Sequence, residues 1–314
     1  MVLIHGNFAS SLWWQPLFES GVGRHLLAVD LPGCGRSGAL PASNDLEEIA
    51  HRVIAAVDPR LDGARFHLVA HSLGAAVAIH LLDLRPERVI DLALFGPAPL
   101  DGTAEMAEGD GEMAEVLRRF DPKDPKSRRF LRAGLDGARW IGAHRRQLAS
   151  SLRRQIPSRA VDGGFFQQLV SVASQQSTDT TLTYFEALAE VAHEDRVAQL
   201  RHPVSVVWGE QDTLVPRAAA RRMAEVFPNG ELSVWPDIGH APMVEAPERT
   251  ARHLESFWGQ TEAETAETRQ FKLVPIPSPA PRGPFGPAKT FLGRMWRAIL
   301  GWFSRPRPPR APAP

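Results

Sequence analysis

The sequence lacks three features that define whole classes of protein: paired cysteines, a long apolar run and a net charge. Cys34 is the only cysteine among 314 residues, so no intrachain disulfide can form and folding needs no oxidising compartment. No stretch approaches the roughly eighteen apolar residues of a spanning helix. The first ten residues, MVLIHGNFAS, lack the basic start and long apolar core of a signal peptide. Lys plus Arg and Asp plus Glu number 36 each, so overall charge indicates no partner, and we expect a soluble cytoplasmic protein.

Short strand-like runs alternate with helical stretches in two parts of the chain. The predicted strands are Val2–Ile4, Leu26–Leu31, Arg65–Ala70, Val89–Phe95, Val204–Trp208 and Glu231–Val234, and the helices between them are Asp45–Val57, Leu73–Leu84, Arg217–Val226 and Arg249–Trp258. Asn44 followed by Glu47 predicts a capping box at the start of the first helix. Such alternation predicts an α/β fold with a mostly parallel sheet and helices on both faces.

Two segments depart from this alternation. Helical patterns without strands occupy residues 98–199, which we expect to form a helical cap inserted into a core made of residues 1–97 and 200–258. Residues 259–314 hold eleven of the 27 prolines, a composition that predicts an extended linker. Within it, residues 289–304 combine Trp, Phe and Arg in a pattern typical of an interfacial anchor on an anionic membrane. Docking onto a protein surface, or disorder, is the alternative for this helix.

The stretch HLVAHSLGAAVA, residues 67–78, places one serine between strand formers and small helix formers. A serine on so sharp a turn projects its hydroxyl above the carboxyl ends of the strands, and Ala70 and Gly74 are small enough to permit the turn. A helix beginning at Leu73 would also present free backbone N–H groups that favour developing negative charge. Ser72 is therefore a candidate nucleophile, while an ordinary helix N-cap is the alternative that the stretch leaves open.

A nucleophilic serine needs a base, and the base needs an orienting acid. The segment VSVVWGEQDTLVP places Asp212 in the loop after one predicted strand, and WPDIGHAPMVEAPE places His240 in the loop after the next. Because carboxyl ends of parallel strands share one edge of a sheet, all three candidates are expected to meet there. A turn role for Asp212, and Asp237 as a competing acid, remain open.

These motifs together resemble the α/β-hydrolase superfamily. The family's nucleophile elbow, G-x-S-x-G, corresponds to AHSLG at residues 70–74, with alanine in the first position. HGN at residues 5–7 resembles its oxyanion loop, and DLPGCGRS at residues 30–37 resembles its D-x-P-G-x-G-x-S loop. The order Ser, Asp, His along the chain is also the family's order.

The resemblance implies a serine hydrolase that cleaves carboxylic esters or thioesters through an acyl-enzyme, without metal or organic cofactor. Ser72 would be the nucleophile, His240 the base and Asp212 the acid that orients it. The backbone N–H groups of Asn7 and Leu73 would form the oxyanion hole. Rival readings are carbon–carbon bond hydrolysis, perhydrolysis, and a non-catalytic binding module recruited to a membrane. The HGN motif also resembles haloalkane dehalogenases, but those require a carboxylate where Ser72 stands.

The expected cap is basic, with 13 Lys or Arg against four Asp or Glu in residues 113–160. A solvated helix surface explains this simply. An acidic carrier protein is the functional alternative, because the sequence also distantly resembles pimeloyl-acyl-carrier-protein methyl ester esterases. No nucleic-acid-binding fold is recognisable, so we expect no nucleic-acid partner. The cap aromatics Trp140, Phe165, Phe166, Tyr184 and Phe185 are interpreted mostly as core, with pocket lining as the alternative.

The oxyanion-like motif begins at residue 5, whereas family members usually carry an antiparallel hairpin before it. Either the start lies upstream or the first two strands are absent from this protein. If they are absent, residues 25–31 should form an exposed edge strand, which invites pairing with another chain.

Overall fold

The computed structural model describes residues 1–23, 25–40, 45–259 and 271–274. Its strands are β1 Val2–Ile4, β2 Leu26–Val29, β3 Phe66–His71, β4 Val89–Phe95, β5 Val204–Gly209, β6 Gly230–Trp235 and β7 Phe271–Val274. Its helices are α1 Gln15–Glu19, α2 Leu46–Leu61, α3 Leu73–Leu84, α4 Thr103–Met106, α5 Glu112–Arg119, α6 Pro125–Trp140, α7 His144–Gln155, α8 Gly163–Gln175, α9 Thr178–Ala189, α10 Glu194–Val197, α11 Arg217–Val226, α12 Pro242–Glu245 and α13 Pro247–Trp258. A single 3₁₀ turn, Ser11–Trp14, precedes α1.

One parallel sheet organises the described residues, in the strand order β6-β5-β4-β3-β1-β2-β7. Alternate residues of β1 enter two separate apolar clusters, Val2 and Ile4 on one face and Leu3 on the other. The first face is covered by α2, α3 and α11, and the second by α1, α13 and parts of the inserted helices. Both faces of the sheet are buried, which explains why the strand sequences are nearly continuous runs of apolar residues. The predicted α/β fold is confirmed.

The sheet edge differs from the expectation. If the first two strands are absent, residues 25–31 were expected to form an exposed edge strand, but β7 pairs in parallel with β2, joining Leu26 to Phe271 and Val29 to Val274. The tail that composition marked as a linker therefore contributes a strand. Four residues supply enough backbone N–H and C=O groups to pair the edge that β2 would otherwise present. The expected anchor helix at residues 289–304 lies outside the described residues.

The four predicted helices form with boundaries within four residues of the expectations, and one cap differs. Asn44 lies outside the described residues, and the N-cap of α2 is Asp45, whose carboxylate accepts a hydrogen bond from Glu47 N at 2.8 Å. The cap thus acts at Asp45, because an aspartate at the N-cap satisfies an otherwise free helix amide. Residues 103–197 contain the seven helices α4 to α10 between β4 and β5. The inserted region is helical, as predicted.

Candidate active site

Ser72 occupies the sharp turn between β3 and α3. Its backbone has φ 52° and ψ −123°, a conformation that costs an L-residue on the order of 1–3 kcal/mol. Its side chain makes no capping hydrogen bond to α3, which removes the N-cap as an explanation for the serine. The turn is held by Ser72 N donating to Phe95 O at 3.2 Å and by Ala98 N donating to Ser72 O at 3.0 Å. A serine that is strained and makes no capping bond has the geometry expected of a nucleophile.

Small residues let the oxyanion-like loop approach this turn. A methyl group on Gly6 would lie 2.8 Å from Ser72 Cβ, and one on Gly74 would lie 2.6 Å from the carbonyl oxygens of Ile4 and His5. Each distance is shorter than a van der Waals contact, so both positions require glycine. The close approach brings residues 5–8 directly against the N-terminus of α3.

The second half of the site joins the loops after β5 and β6. His240 Nδ1 lies 2.8 Å from Asp212 Oδ2, and both side chains are almost fully buried. The other carboxylate oxygen of Asp212 accepts from Leu214 N at 2.8 Å and Val215 N at 3.1 Å, so its orientation is fixed. The competing acid, Asp237, is exposed, and the carboxylate that contacts His240 Nδ1 is that of Asp212.

These two halves meet above β3 and β4. A methyl group on Gly96, at the end of β4, would lie 2.7 Å from His240 O and 3.1 Å from His240 Nδ1. The ring of His71, which precedes the serine, lies 4.8 Å from the ring of His240. The structure therefore brings all three sequence candidates to one edge of the sheet, as the strand order requires.

Two backbone amides flank the serine. Leu73 N is the first amide of α3, and Asn7 N belongs to the loop packed against Ser72. Within the described chain, neither amide donates to a protein acceptor. Free N–H groups at a helix start and an adjacent loop are suited to stabilise a developing oxyanion.

Gln176, between α8 and α9, ties the inserted helices to this loop. Its Nε2 donates to Asn7 Oδ1 at 2.7 Å, and its Oε1 accepts from Phe8 N at 3.2 Å. The side chain is 4% exposed, and its Oε1 also accepts from Cys34 Sγ at 3.4 Å. Phe8 needs such support because its φ is 57°. Nothing in the sequence near Gln176 identified this role, because the contact crosses 169 positions.

The loop carrying His240 is held from three directions. His71 Nε2 donates to His240 O at 3.0 Å, and burial lowers the His71 pKa well below its usual value, which favours the neutral ring. His240 N donates to Gln155 O, at the end of α7, at 2.7 Å. Glu245 accepts from Gly239 N at 3.0 Å through one oxygen and from Ser158 N at 3.2 Å through the other. Burial raises the pKa of Glu245, and the hydrogen bonds from these backbone N–H groups partly offset that rise.

His71 and Glu245 were both inside motifs quoted from the sequence, but their roles were not recognised there. His5, in the HGN motif, is similarly structural: its Nδ1 donates to Gly6 O at 2.7 Å and its Nε2 accepts from Leu31 N at 2.9 Å. Burial lowers the His5 pKa, partly offset by Asp30. These histidines serve as neutral cross-links between loops.

Another serine–histidine contact exists away from this edge. Ser205 Oγ lies 2.8 Å from His253 Nε2, but the serine is the second residue of β5, at the opposite end of the strand from the loop that carries Asp212. No helix begins beside it to offer free amides. This pair therefore lacks the turn and the anion-stabilising groups that surround Ser72.

The described residues also lack two kinds of feature. They contain no group of three or more His, Cys, Asp or Glu placed to hold a metal ion. None of their helices has the length and apolar character needed to cross a bilayer.

Comparison with known proteins shows which family and which relatives this chain resembles. Residues 1–253 match the Alpha/beta hydrolase family. A Pseudomonas putida protein named as the dihydrolipoyllysine-residue acetyltransferase component of an acetoin cleaving system is 28% identical over 82% of this chain, although the match spans only 62% of that relative. The pimeloyl-[acyl-carrier protein] methyl ester esterase of Vibrio vulnificus strain CMCP6 is 27% identical over 83% of this chain and 94% of the relative. A 2-hydroxy-6-oxononadienedioate/2-hydroxy-6-oxononatrienedioate hydrolase of Burkholderia vietnamiensis is 25% identical over 82% of this chain and 86% of the relative.

Solved structures show the same fold. The esterase RhEst1 from Rhodococcus sp. ECU1013 superimposes with a TM-score of 0.65 at 24% identity, over 83% of this chain and 90% of its own. A thermophilic esterase from Thermogutta terrifontis superimposes with a TM-score of 0.62 at 20% identity, over 82% of this chain and 89% of its own. On the family match, the sheet and its helices, the chain belongs to the alpha/beta hydrolase family and is a hydrolase.

Proposed function

We propose that this hydrolase cleaves carboxylic esters or thioesters through an acyl-enzyme formed on Ser72. His240 takes the proton from Ser72 Oγ as the oxygen attacks the acyl carbon, and later returns it to the leaving group. Asp212 holds the imidazole with Nδ1 protonated and stabilises the imidazolium that forms. A water molecule, activated by the same histidine, then releases the acid and restores the serine.

The observation that carries the proposal is the strained Ser72 backbone beside two free amides. The φ is 52°, and the side chain makes no cap bond to α3. In this proposal the amides of Asn7 and Leu73 donate to the acyl oxygen as negative charge develops on it. Removing one such donor typically lowers turnover by about 10²–10³.

Labelling with a fluorophosphonate probe, followed by turnover of p-nitrophenyl acetate and butyrate, tests this proposal. We expect the wild type to be labelled and active, and Ser72→Ala to lose both. Ser205→Ala is the matched control, because Ser205 also contacts a histidine. Labelling that persists in Ser72→Ala and disappears in Ser205→Ala would refute the assignment. A folded wild type without labelling or turnover would support a non-catalytic binding module instead.

Carbon–carbon bond hydrolysis is the second candidate, because the Burkholderia vietnamiensis relative is named for a dienedioate substrate and spans most of this chain. The same serine, base and oxyanion donors could serve either reaction. Comparing kcat/KM for p-nitrophenyl butyrate with that for a 2-hydroxy-6-oxo-dienoate discriminates them. A preference of about a hundredfold in kcat/KM for the ester corresponds to a difference of roughly 2.7 kcal/mol in transition-state stabilisation between the two substrates. Perhydrolysis remains a third use of the same groups.

We also propose that residues 98–199 act as the cap over the core formed by residues 1–97 and 200–258. The cap reaches the site directly, through Gln176 on Asn7 and Gln155 on His240. The substrate would lie between cap and core. An ester on an acidic carrier protein is one such substrate, suggested by the Vibrio vulnificus relative. Turnover of a methyl ester on acyl-carrier protein, compared with the free methyl ester, measures the carrier's contribution.

A further inference from the structure

The corner between α6 and α7 presents two large apolar side chains to solvent. Among the described residues, Trp140 at 78% exposure and Ile141 at 45% are the only large hydrophobics that are strongly exposed. They are adjacent in sequence, at the end of α6. The sequence-based interpretation of Trp140 as core is therefore wrong, whereas Tyr184 and Phe166 are buried as expected.

A well-formed helix stop holds this corner in place. Gly142 has φ 69°, Ala143 N donates to Ala138 O at 2.9 Å, and Gly142 N donates to Arg139 O at 3.1 Å. This is the Schellman pattern, in which a left-handed glycine satisfies the last carbonyls of a helix. Arg139 Nη1 also donates to Ser174 O at 3.0 Å, which fastens the last turn of α6 to the end of α8. The exposed pair therefore projects from a fixed backbone.

Positive charge surrounds the same corner. Residues 139–154 contain five arginines and no acidic residue. Arg145 and Arg146 are exposed in the first turn of α7, and neither has an acidic partner in the described part of the chain. Cations at a helix N-terminus oppose the helix dipole, so this placement costs stability in the isolated protein. An anionic partner would reverse that cost.

From these observations we propose that the α6–α7 corner docks onto an anionic lipid membrane. Trp140 and Ile141 enter the boundary between headgroups and acyl chains, while Arg145 and Arg146 contact lipid phosphates. A convex apolar tip suits a fluid bilayer, which deforms around it, whereas a protein partner would need a matching cavity. The proposal is independent of the hydrolytic activity.

Docking here would place the membrane near the site. Arg139, the neighbour of Trp140, also donates to Gln176 O, and Gln176 contacts Asn7 in the oxyanion-like loop. The corner is thus connected to the site by one cap residue. Esters that partition into membranes could reach the cap without crossing bulk water.

Co-sedimentation of the full chain with vesicles tests the proposal. Phosphatidylcholine vesicles are compared with vesicles containing 30 mol% phosphatidylglycerol (about one lipid in three anionic). We expect binding to the anionic vesicles, a loss of about tenfold or more in Trp140→Ala, and about fivefold for each of Arg145→Gln and Arg146→Gln. Arg201→Gln with Arg252→Gln, two exposed arginines elsewhere, is the charge-matched control and should bind as wild type.

Brominated lipids locate the contact, because they quench only tryptophans at the bilayer surface. We expect quenching in the wild type to be largely lost in Trp140→Ala, while thermal melting and turnover of p-nitrophenyl acetate stay unchanged. Equal binding and quenching in wild type and Trp140→Ala would overturn the proposal, as would binding through residues 275–314 alone. Retention on an acidic acyl-carrier protein without vesicle binding would overturn it in favour of a protein partner.

Discussion

Replacing Gln176 by leucine should lower turnover while leaving substrate binding almost unchanged. The leucine keeps most of the buried volume but removes two hydrogen bonds to the Asn7–Phe8 loop, one at 2.7 Å and one at 3.2 Å. Each neutral hydrogen bond contributes about 0.5–1.5 kcal/mol net, so the loop loses about 1–3 kcal/mol of support. If that support serves to position Asn7 N, kcat should fall about 5- to 150-fold.

The separation of kcat from KM makes this prediction specific. An interaction that acts only in the transition state lowers kcat and kcat/KM together and leaves KM unchanged. Steady-state kinetics with p-nitrophenyl butyrate, alongside thermal melting, provide both quantities. Thr181→Val is the matched control, because it removes another hydrogen-bond partner of Gln176 Nε2, at 3.2 Å, without touching the loop.

Thr181→Val should lower the melting temperature to a similar extent while keeping kcat near wild type. The reasoning fails if Thr181→Val and Gln176→Leu reduce kcat equally, because the effect would then be general destabilisation. It also fails if the whole loss in Gln176→Leu appears in KM.

Gly96→Ala should reduce both stability and turnover, because the φ of Gly96 is 47° and the new Cβ would lie 2.7 Å from His240 O. We expect urea unfolding to show a loss of about 1–3 kcal/mol in the free energy of unfolding. A wild-type kcat would contradict the close packing of Gly96 against His240. Burial, reinforced by His80, lowers the pKa of His193 to about 3, so only the unfolded chain gains a proton as pH falls below about 6.5. The stability linked to this neutral histidine is complete above pH 6.5, falls by about 2 kcal/mol by pH 5 and continues to fall toward pH 3. In His193→Gln, the free energy of unfolding should therefore depend less on pH between pH 6.5 and 4.5. An unchanged slope of unfolding free energy against pH would show that His193 is not held neutral.

The strands and the candidate site were predictable from sequence because their signals are local. Apolar runs mark strands buried on both faces, and the boundaries of β1, β4 and α3 agree with the expectations residue for residue. The turn at Ser72 was predictable because small residues lie within four positions of it in the sequence. Loops that follow parallel strands share one edge, so the meeting of Asp212 with His240 follows from strand direction.

Other features depended on contacts between distant parts of the chain. Composition marked the tail as a linker, yet β7 pairs with β2 across more than 240 positions, because an unpaired edge accepts any strand of suitable geometry. The role of Gln176 was likewise not predictable, because its contact with Asn7 joins parts of the chain that are distant in sequence.

By itself the sequence determined strands β1 to β6, the inserted helices and the chemical groups that follow those strands, since these depend on periodicity and turn chemistry. Only the tertiary structure decided which polar side chains support those groups and which apolar ones stay exposed. Trp140 illustrates the reason: helical spacing cannot say whether a face meets the core or solvent, because that depends on what packs against it.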